Sequence, residues 1–282
     1  MATKLLRLAL AGVLVAGVAV AGARAETFPS KPFRFIVPFP AGGATDAAAR
    51  AMQPQLEKLF GQTVVIENRA GAGAVIGLDA IAKSAPDGYT FGIGPAGALS
   101  VNPAMQVKMP FDVRKDLTPI SGLCETPFIL AAAANYPANT LQEVIAQAKA
   151  KPGTLTIGHG GNGTSMFYAA LLFTTMADVK AGFVPYRGTV LVANDLIGGH
   201  IGLGIVDPPP SQAALLDGRI KGIAISSKRR ARFFPNIPTF DEQGLKGYEV
   251  GGWFGLVGPA GIPPDVLAKL NAAMVTALKD PE

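Results

Sequence analysis

The chain has 282 residues, 49% hydrophobic and 16% charged, and carries 25 Lys and Arg against 20 Asp and Glu for a formal charge of +5. Three of those cations, Lys4, Arg7 and Arg24, lie in a leader-like N-terminus, and without them the charge falls to +2, too little to suggest a nucleic-acid partner. Cys124 is the only cysteine, so an internal disulfide is excluded, and its simplest reading is a small buried residue.

Residues 1–25 read as a cleavable secretory signal. Lys4 and Arg7 form a charged start, an apolar stretch follows over 8–22, and Ala23-Arg24-Ala25 is a small-residue cleavage site. The stretch is too short and too rich in Ala and Gly for a retained anchor. No cysteine lies near the junction, which argues against a lipoprotein, and cleavage there would start the mature chain at Glu26. About 257 residues remain, enough for one large or two medium α/β domains. No later apolar run reaches the roughly 20 residues that span a bilayer.

Phe33, Phe35, Ile36 and Val37 form a β-rich run that breaks into Pro38-Phe39-Pro40-Ala41-Gly42-Gly43-Ala44-Thr45-Asp46. Thr45 and Asp46 open a helix whose apolar face is Met52, Leu56, Leu59 and Phe60, ended by Gly61. Free N–H groups and the positive end of the helix dipole would face the loop, which reads as an anion cradle. No Lys follows the glycines as in a nucleotide-binding P-loop, so the expected guest is a carboxylate. A strand over 63–67, a helix over 74–84, a turn at Pro86-Asp87-Gly88 and a strand over 89–93 come next. Gly71, Gly73 and Gly77 have the wrong spacing for a dinucleotide fingerprint and read as a close-packing loop, with Gly71 or Ala72 as cleft-lining candidates.

The pattern changes near 117–127 and then resumes. A strand over 128–133 leads to a helix through Ala150 capped by Thr140 and Glu143, then to a strand over 155–157. A second glycine-rich junction, Gly158-His159-Gly160-Gly161-Asn162-Gly163-Thr164-Ser165, opens a helix ending near 176. Strands at 183–184, 203–206 and 220–225 alternate with helices at 190–197 and 209–216, and a strand over 253–257 precedes a helix over 263–278. Such alternation predicts an α/β protein with mainly parallel sheets flanked by helices. Two glycine-rich junctions suggest two lobes facing one cleft.

Several words in this order resemble the Bug family, the extracytoplasmic solute receptors of tripartite tricarboxylate transporters. They are Phe39-Pro40-Ala41-Gly42-Gly43 with Asp46, Glu67-Asn68-Arg69-Ala70-Gly71-Ala72-Gly73, Pro86-Asp87-Gly88-Tyr89-Thr90, Val184-Pro185-Tyr186-Arg187-Gly188, Gly198-Gly199, Ile237-Pro238-Thr239 with Glu242 and Gly244, and Trp253 through Pro264. The resemblance implies a two-lobe periplasmic binding protein type II fold: lobe 1 over 26–125, lobe 2 over 126–250, and a return to lobe 1 over 251–282. It also implies an apparent C-terminal truncation, because family members normally continue past Glu282. It further implies a non-enzymatic, monomeric receptor without cofactor or metal, capturing a small organic carboxylate for membrane subunits.

In that family the first loop gives backbone N–H groups to a ligand carboxylate, partly through ordered waters, and the matching positions are Phe39, Ala41, Gly42 and Gly43. Asp46 either favours the helix start or orients a water or an amino group. From the second junction Gly161, Gly163 and the Thr164 and Ser165 hydroxyls are expected at the same carboxylate. His159 stands where family members usually carry Ser, and is either a ligand neighbour or a loop histidine making one hydrogen bond. His200 reads as a surface residue at a helix end. Asp207 is either a ligand group at a strand's carboxyl end or an Asx turn before Pro208. Trp253 is a hinge or pocket aromatic, or a core residue. The run Lys228-Arg229-Arg230-Ala231-Arg232 reads as a solvated helix end, with a docking patch for the membrane subunits as the alternative. A co-receptor for a membrane sensor kinase is an alternative function. A periplasmic hydrolase has less support, since the chain lacks a GxSxG elbow and a metal-ligand cluster.

Overall fold

A computed structural model describes residues 27–279. The expected signal peptide and the last three residues lie outside them. Two five-stranded sheets carry the described chain. The first holds β1 (Phe33–Val37), β2 (Val64–Asn68), β3 (Thr90–Pro95), β4 (Leu117–Pro127) and β10 (Gly251–Pro259); the second holds β5 (Ile129–Ala133), β6 (Leu155–His159), β7 (Ala181–Pro185), β8 (Leu203–Val206) and β9 (Ile220–Ile225). The seven longer helices are α1 (Ala44–Phe60), α2 (Val75–Ala82), α3 (Leu141–Ala150), α4 (Ser165–Met176), α5 (Thr189–Ile197), α6 (Pro208–Leu216) and α7 (Pro264–Ala277).

The sheet orders are β2-β1-β3-β10-β4 and β7-β6-β8-β5-β9. In each, one strand runs against the other four, β10 in the first and β5 in the second. Mainly parallel sheets with one reversed strand each are therefore the architecture. Burial follows from strand geometry, because successive side chains leave opposite faces. In β5, Leu130 and Ala132 join a core with Leu141, Ile157, Phe173, Phe240 and Tyr248. Ile129 and Ala131 point to the other face and pack with Val192, Leu196, Val206 and Ile225. β1 is likewise buried at Phe33, Phe35, Ile36 and Val37, as expected of a strand covered on both sides.

Differences from the sequence expectations have local causes. β4 was not anticipated as a strand, since Pro119, Ser121 and Gly122 are poor strand formers. It survives as an edge strand held by β10 through two register shifts, where proline costs little. Leu59 is exposed rather than part of the apolar face of α1, while Met52 and Leu56 are buried and Phe60 stacks on Phe33 with centroids 4.3 Å apart. Cys124 is exposed rather than buried. The basic run lies in an irregular loop after β9, not at a helix end, and Lys228 and Arg230 pair there with Glu249 and Glu242.

Two neighbouring segments connect the sheets. β4 runs through Phe128 into β5, and the chain returns through Val250 into β10, with Gly251 paired to Pro127. Buried Ser226, just past β9, ties both segments together. Its N–H donates to the Phe128 carbonyl at 2.9 Å and its carbonyl accepts from the Val250 N–H at 3.1 Å. Its hydroxyl accepts from the Phe128 N–H at 2.7 Å and donates to the Val250 carbonyl.

Candidate functional site

A cavity of about 140 Å³ lies where the loops of the two sheets meet. Three helices begin on it. Gly43, Ala44 and Thr45 from the start of α1, Thr164, Ser165 and Met166 from α4, and Gly188, Thr189, Val190 and Leu191 from α5 all line it. The first N–H groups of a helix have no partner within it, so each start brings donors and a partial positive charge. Thr164 is the N-cap of α4: its Oγ1 accepts from the Phe167 N–H at 3.3 Å and donates to the Gly161 carbonyl at 2.7 Å. The rest of the lining is largely apolar, including Phe39, Phe128, Trp253 and Phe254.

The sequence-derived residues divide into two groups. Phe39, Ala41, Gly43, Thr164, Ser165 and Asp207 line this cavity. Gly71 and Gly161 instead line a neighbouring space together with Phe39, Tyr186 and Arg187, and Gly163 lines neither. Gly42 is not a lining residue, and its N–H is taken by Asp46 Oδ2 at 2.9 Å. Asp46 does not line the cavity and clamps the loop. Its Oδ2 also accepts from Arg50 Nε at 2.9 Å and its Oδ1 from Asn68 Nδ2 at 2.9 Å, while Asn68 holds the Phe39 carbonyl at 3.0 Å. Burial works to raise this carboxyl, but the hydrogen bonds from Arg50, Gly42 and Asn68 outweigh it and hold it below the usual aspartate value. The cradle loop is thereby fixed to β2.

His159 ends β6 and is fully buried rather than partly exposed, makes one hydrogen bond as the loop-histidine reading expected, and leaves its Nε2 buried without a partner. Its Nδ1 accepts from the Gly161 N–H at 3.2 Å, which places the ring hydrogen on Nε2. Its ring packs against Phe167 with centroids 4.9 Å apart, and burial lowers its pKa, keeping it neutral. His159 therefore shapes the second glycine loop from beneath. His200 is exposed beside Asp195, as its surface reading anticipated.

Asp207 stands just before α6 and is 8% exposed. Its N–H donates to Thr189 Oγ1 at 2.9 Å, its Oδ1 is buried without a hydrogen-bond partner, and burial pushes its carboxyl up to about 7. Trp253 is a lining aromatic. The sequence expectation that the distal half of the pocket draws on parts of 184–207 named no residue at the start of α5, although Arg187-Gly188-Thr189 repeats the signal of the other two junctions, a glycine before a hydroxyl residue at a helix start. Within that stretch Arg187 is an exposed cation lining both spaces.

The two halves are in contact around the cavity. Tyr168 on α4 donates its hydroxyl to Oδ1 of buried Asn102, which follows β3, at 3.0 Å. Gly97 packs so closely that a Cβ there would lie 2.6 Å from the Gly163 carbonyl oxygen and 2.8 Å from the Ser165 nitrogen; a Cβ at Gly73 would overlap the Asn162 carbonyl. Among the described residues no group of three or more His, Cys, Asp or Glu could hold a metal, and no helix is long and apolar enough to cross a membrane.

Comparison with known proteins gives a consistent result. Residues 48–282 match TctC, the tripartite tricarboxylate transporter family receptor. Protein BugT of Bordetella pertussis is 35% identical over 274 residues, covering 96% of this chain and 84% of that protein. The structure of MatC from Rhodopseudomonas palustris with bound malate is 33% identical and superposes with a TM-score of 0.85, covering 90% of this chain and 86% of that one. Another R. palustris protein, with adipate, is 31% identical with a TM-score of 0.85, covering 90% and 85%.

Proposed function

The chain belongs to the tripartite tricarboxylate transporter receptor family, a family of periplasmic binding proteins and not of enzymes, and from that premise we propose that it captures a small organic carboxylate between its two lobes. The observation that carries this reading is the convergence of three helix starts on one largely apolar cavity without a lysine in its lining. Preformed N–H groups and helix dipoles favour an anion with little reorganisation, and the apolar lining takes up its body. The malate and adipate held by its structural relatives support the same ligand class. The receptor acts as a monomer in the periplasm after its leader is removed and delivers its solute to the membrane subunits of a tripartite transporter.

A carboxylate touching α1 from one lobe and α4 and α5 from the other gains contacts only when the lobes meet, so binding shifts the population toward the closed form. A thermal-shift screen of mono-, di- and tricarboxylates against sugars and neutral amides tests the reading. Stabilisation is expected only from compounds with a free carboxylate. A ligand at 100 times its Kd adds about 2.7 kcal/mol, a readily measured shift. Equal stabilisation by a sugar or neutral amide would reject the ligand class.

A further inference from the structure

Asp207, which lines the cavity, stands immediately before α6, whose first three residues are Pro208, Pro209 and Pro210. In an ordinary helix these positions present free N–H groups, and an aspartate just before them accepts one as its cap. Proline has no N–H to give. Asp207 therefore caps nothing, and its Oδ1 stays buried without a partner while the residue lines the cavity. Its main chain is held in place by the bond to Thr189 Oγ1. A buried polar atom of this kind in a native protein requires an explanation, and because Asp207 borders the cavity, a donor carried by the cavity's occupant supplies one once the carboxyl turns toward it.

The cavity is thus bipolar. Around α1, α4 and α5 it offers donors and partial positive charge, with Arg187 beside the start of α5. At α6 it offers a carboxyl and no N–H. Val190, Leu191, Phe128 and Trp253 are among the apolar residues of the same lining. A second carboxylate beside Asp207 would set two acids against each other in a site stripped of compensating donors. A hydrogen-bond donor, above all a cationic one, satisfies Oδ1 and offsets the cost of burying its charge.

Resting on the carboxylate reading above, we propose that the solute is an amino carboxylate with an apolar body, its carboxylate at the starts of α1, α4 and α5 and its amino group at Asp207. The apolar lining then accepts the hydrocarbon between the two charged ends.

Calorimetric titration of two matched sets tests this: 6-aminohexanoate with hexanoate and adipate, and 4-(aminomethyl)benzoate with 4-methylbenzoate and terephthalate. In at least one set the amino compound should bind tenfold or more tightly than its amine-free partners. Asp207→Asn should weaken that compound at least tenfold and by at least fivefold more than it weakens the amine-free monocarboxylate. The wild-type contrast stands even if the variant does not fold. If the amine-free acid or the dicarboxylate binds as well as the amino compound in every set, or if folded Asp207→Asn weakens all members alike, the proposal is overturned and the carboxylate reading survives. If no carboxylate binds, with or without an amine, in these sets or in the wider acid screen, the carboxylate reading beneath it falls as well.

Discussion

Asp207 and Asp46 are both buried acids near the cavity, yet their surroundings drive them in opposite directions. Asp207 has no donor at its Oδ1 and burial raises its carboxyl to about 7, whereas Asp46 is held below its usual value by Arg50, Gly42 and Asn68. Between about pH 4 and pH 7 the folded ligand-free protein therefore keeps a proton on Asp207 that the unfolded chain has lost. The unfolded state binds fewer protons there, so this group's contribution to stability falls as pH rises through that window and stays low above it. Asp207→Asn should accordingly gain stability relative to wild type from pH 4 to pH 8 in chemical denaturation of ligand-free protein; a constant difference would mean that the carboxyl is solvated or partnered. Asp46→Ala should cost about 2 kcal/mol, since it removes charge-assisted hydrogen bonds and strands Asn68 and the Gly42 N–H. The same denaturation measurement checks it, and a loss under 0.5 kcal/mol, the ordinary scale of surface substitutions, would show that Asp46 is no clamp. Neither role could be read from the sequence. Both residues precede or open helices, and only the three-dimensional arrangement shows that one has partners and the other does not.

The elements were legible wherever their signals were local. The strand–glycine–helix junctions at 39–46 and 158–165 are written in β-rich runs, glycines and hydroxyl caps, and Thr140 caps α3 as its spacing with Glu143 implied. β4 was not legible, because its pairing with β10 is a property of residues more than a hundred positions away. The contact between halves was invisible for the same reason. Gly97 carries no local signature, and Gly73 was legible as a close-packing glycine but not as one that faces the other half; the space at each is filled by backbone from that half. Gly97→Ala should fold with near-native stability, because the obstructing atoms belong to the Gly163–Ser165 segment, and should bind its acid at least tenfold more weakly because the halves cannot meet. Unchanged affinity by calorimetry would show that binding does not need this contact. Tyr168→Phe deletes only the hydrogen bond to Asn102, worth about 1 kcal/mol, and should weaken binding about fivefold. Small-angle scattering gives an independent check: wild type should contract on adding ligand and Gly97→Ala should not.

At the scale of the whole molecule, two sheets of like order are joined by two adjacent segments that Ser226 binds into one connection. Such a connection lets the halves keep their cores while the loops around the cavity meet or part. The chemistry needed is modest: helix starts supply the donors, apolar side chains supply the fit, and no reacting group is required. The central claim is recognition of a carboxylate by those helix starts, and one measurement addresses it most directly. The best acid from the screen and its primary amide, alike in shape and differing in charge, are titrated calorimetrically into the same protein preparation. The account predicts that the amide binds at least tenfold more weakly, because the dipoles and N–H groups lose the anion they favour. An amide that binds as tightly as the acid would contradict it.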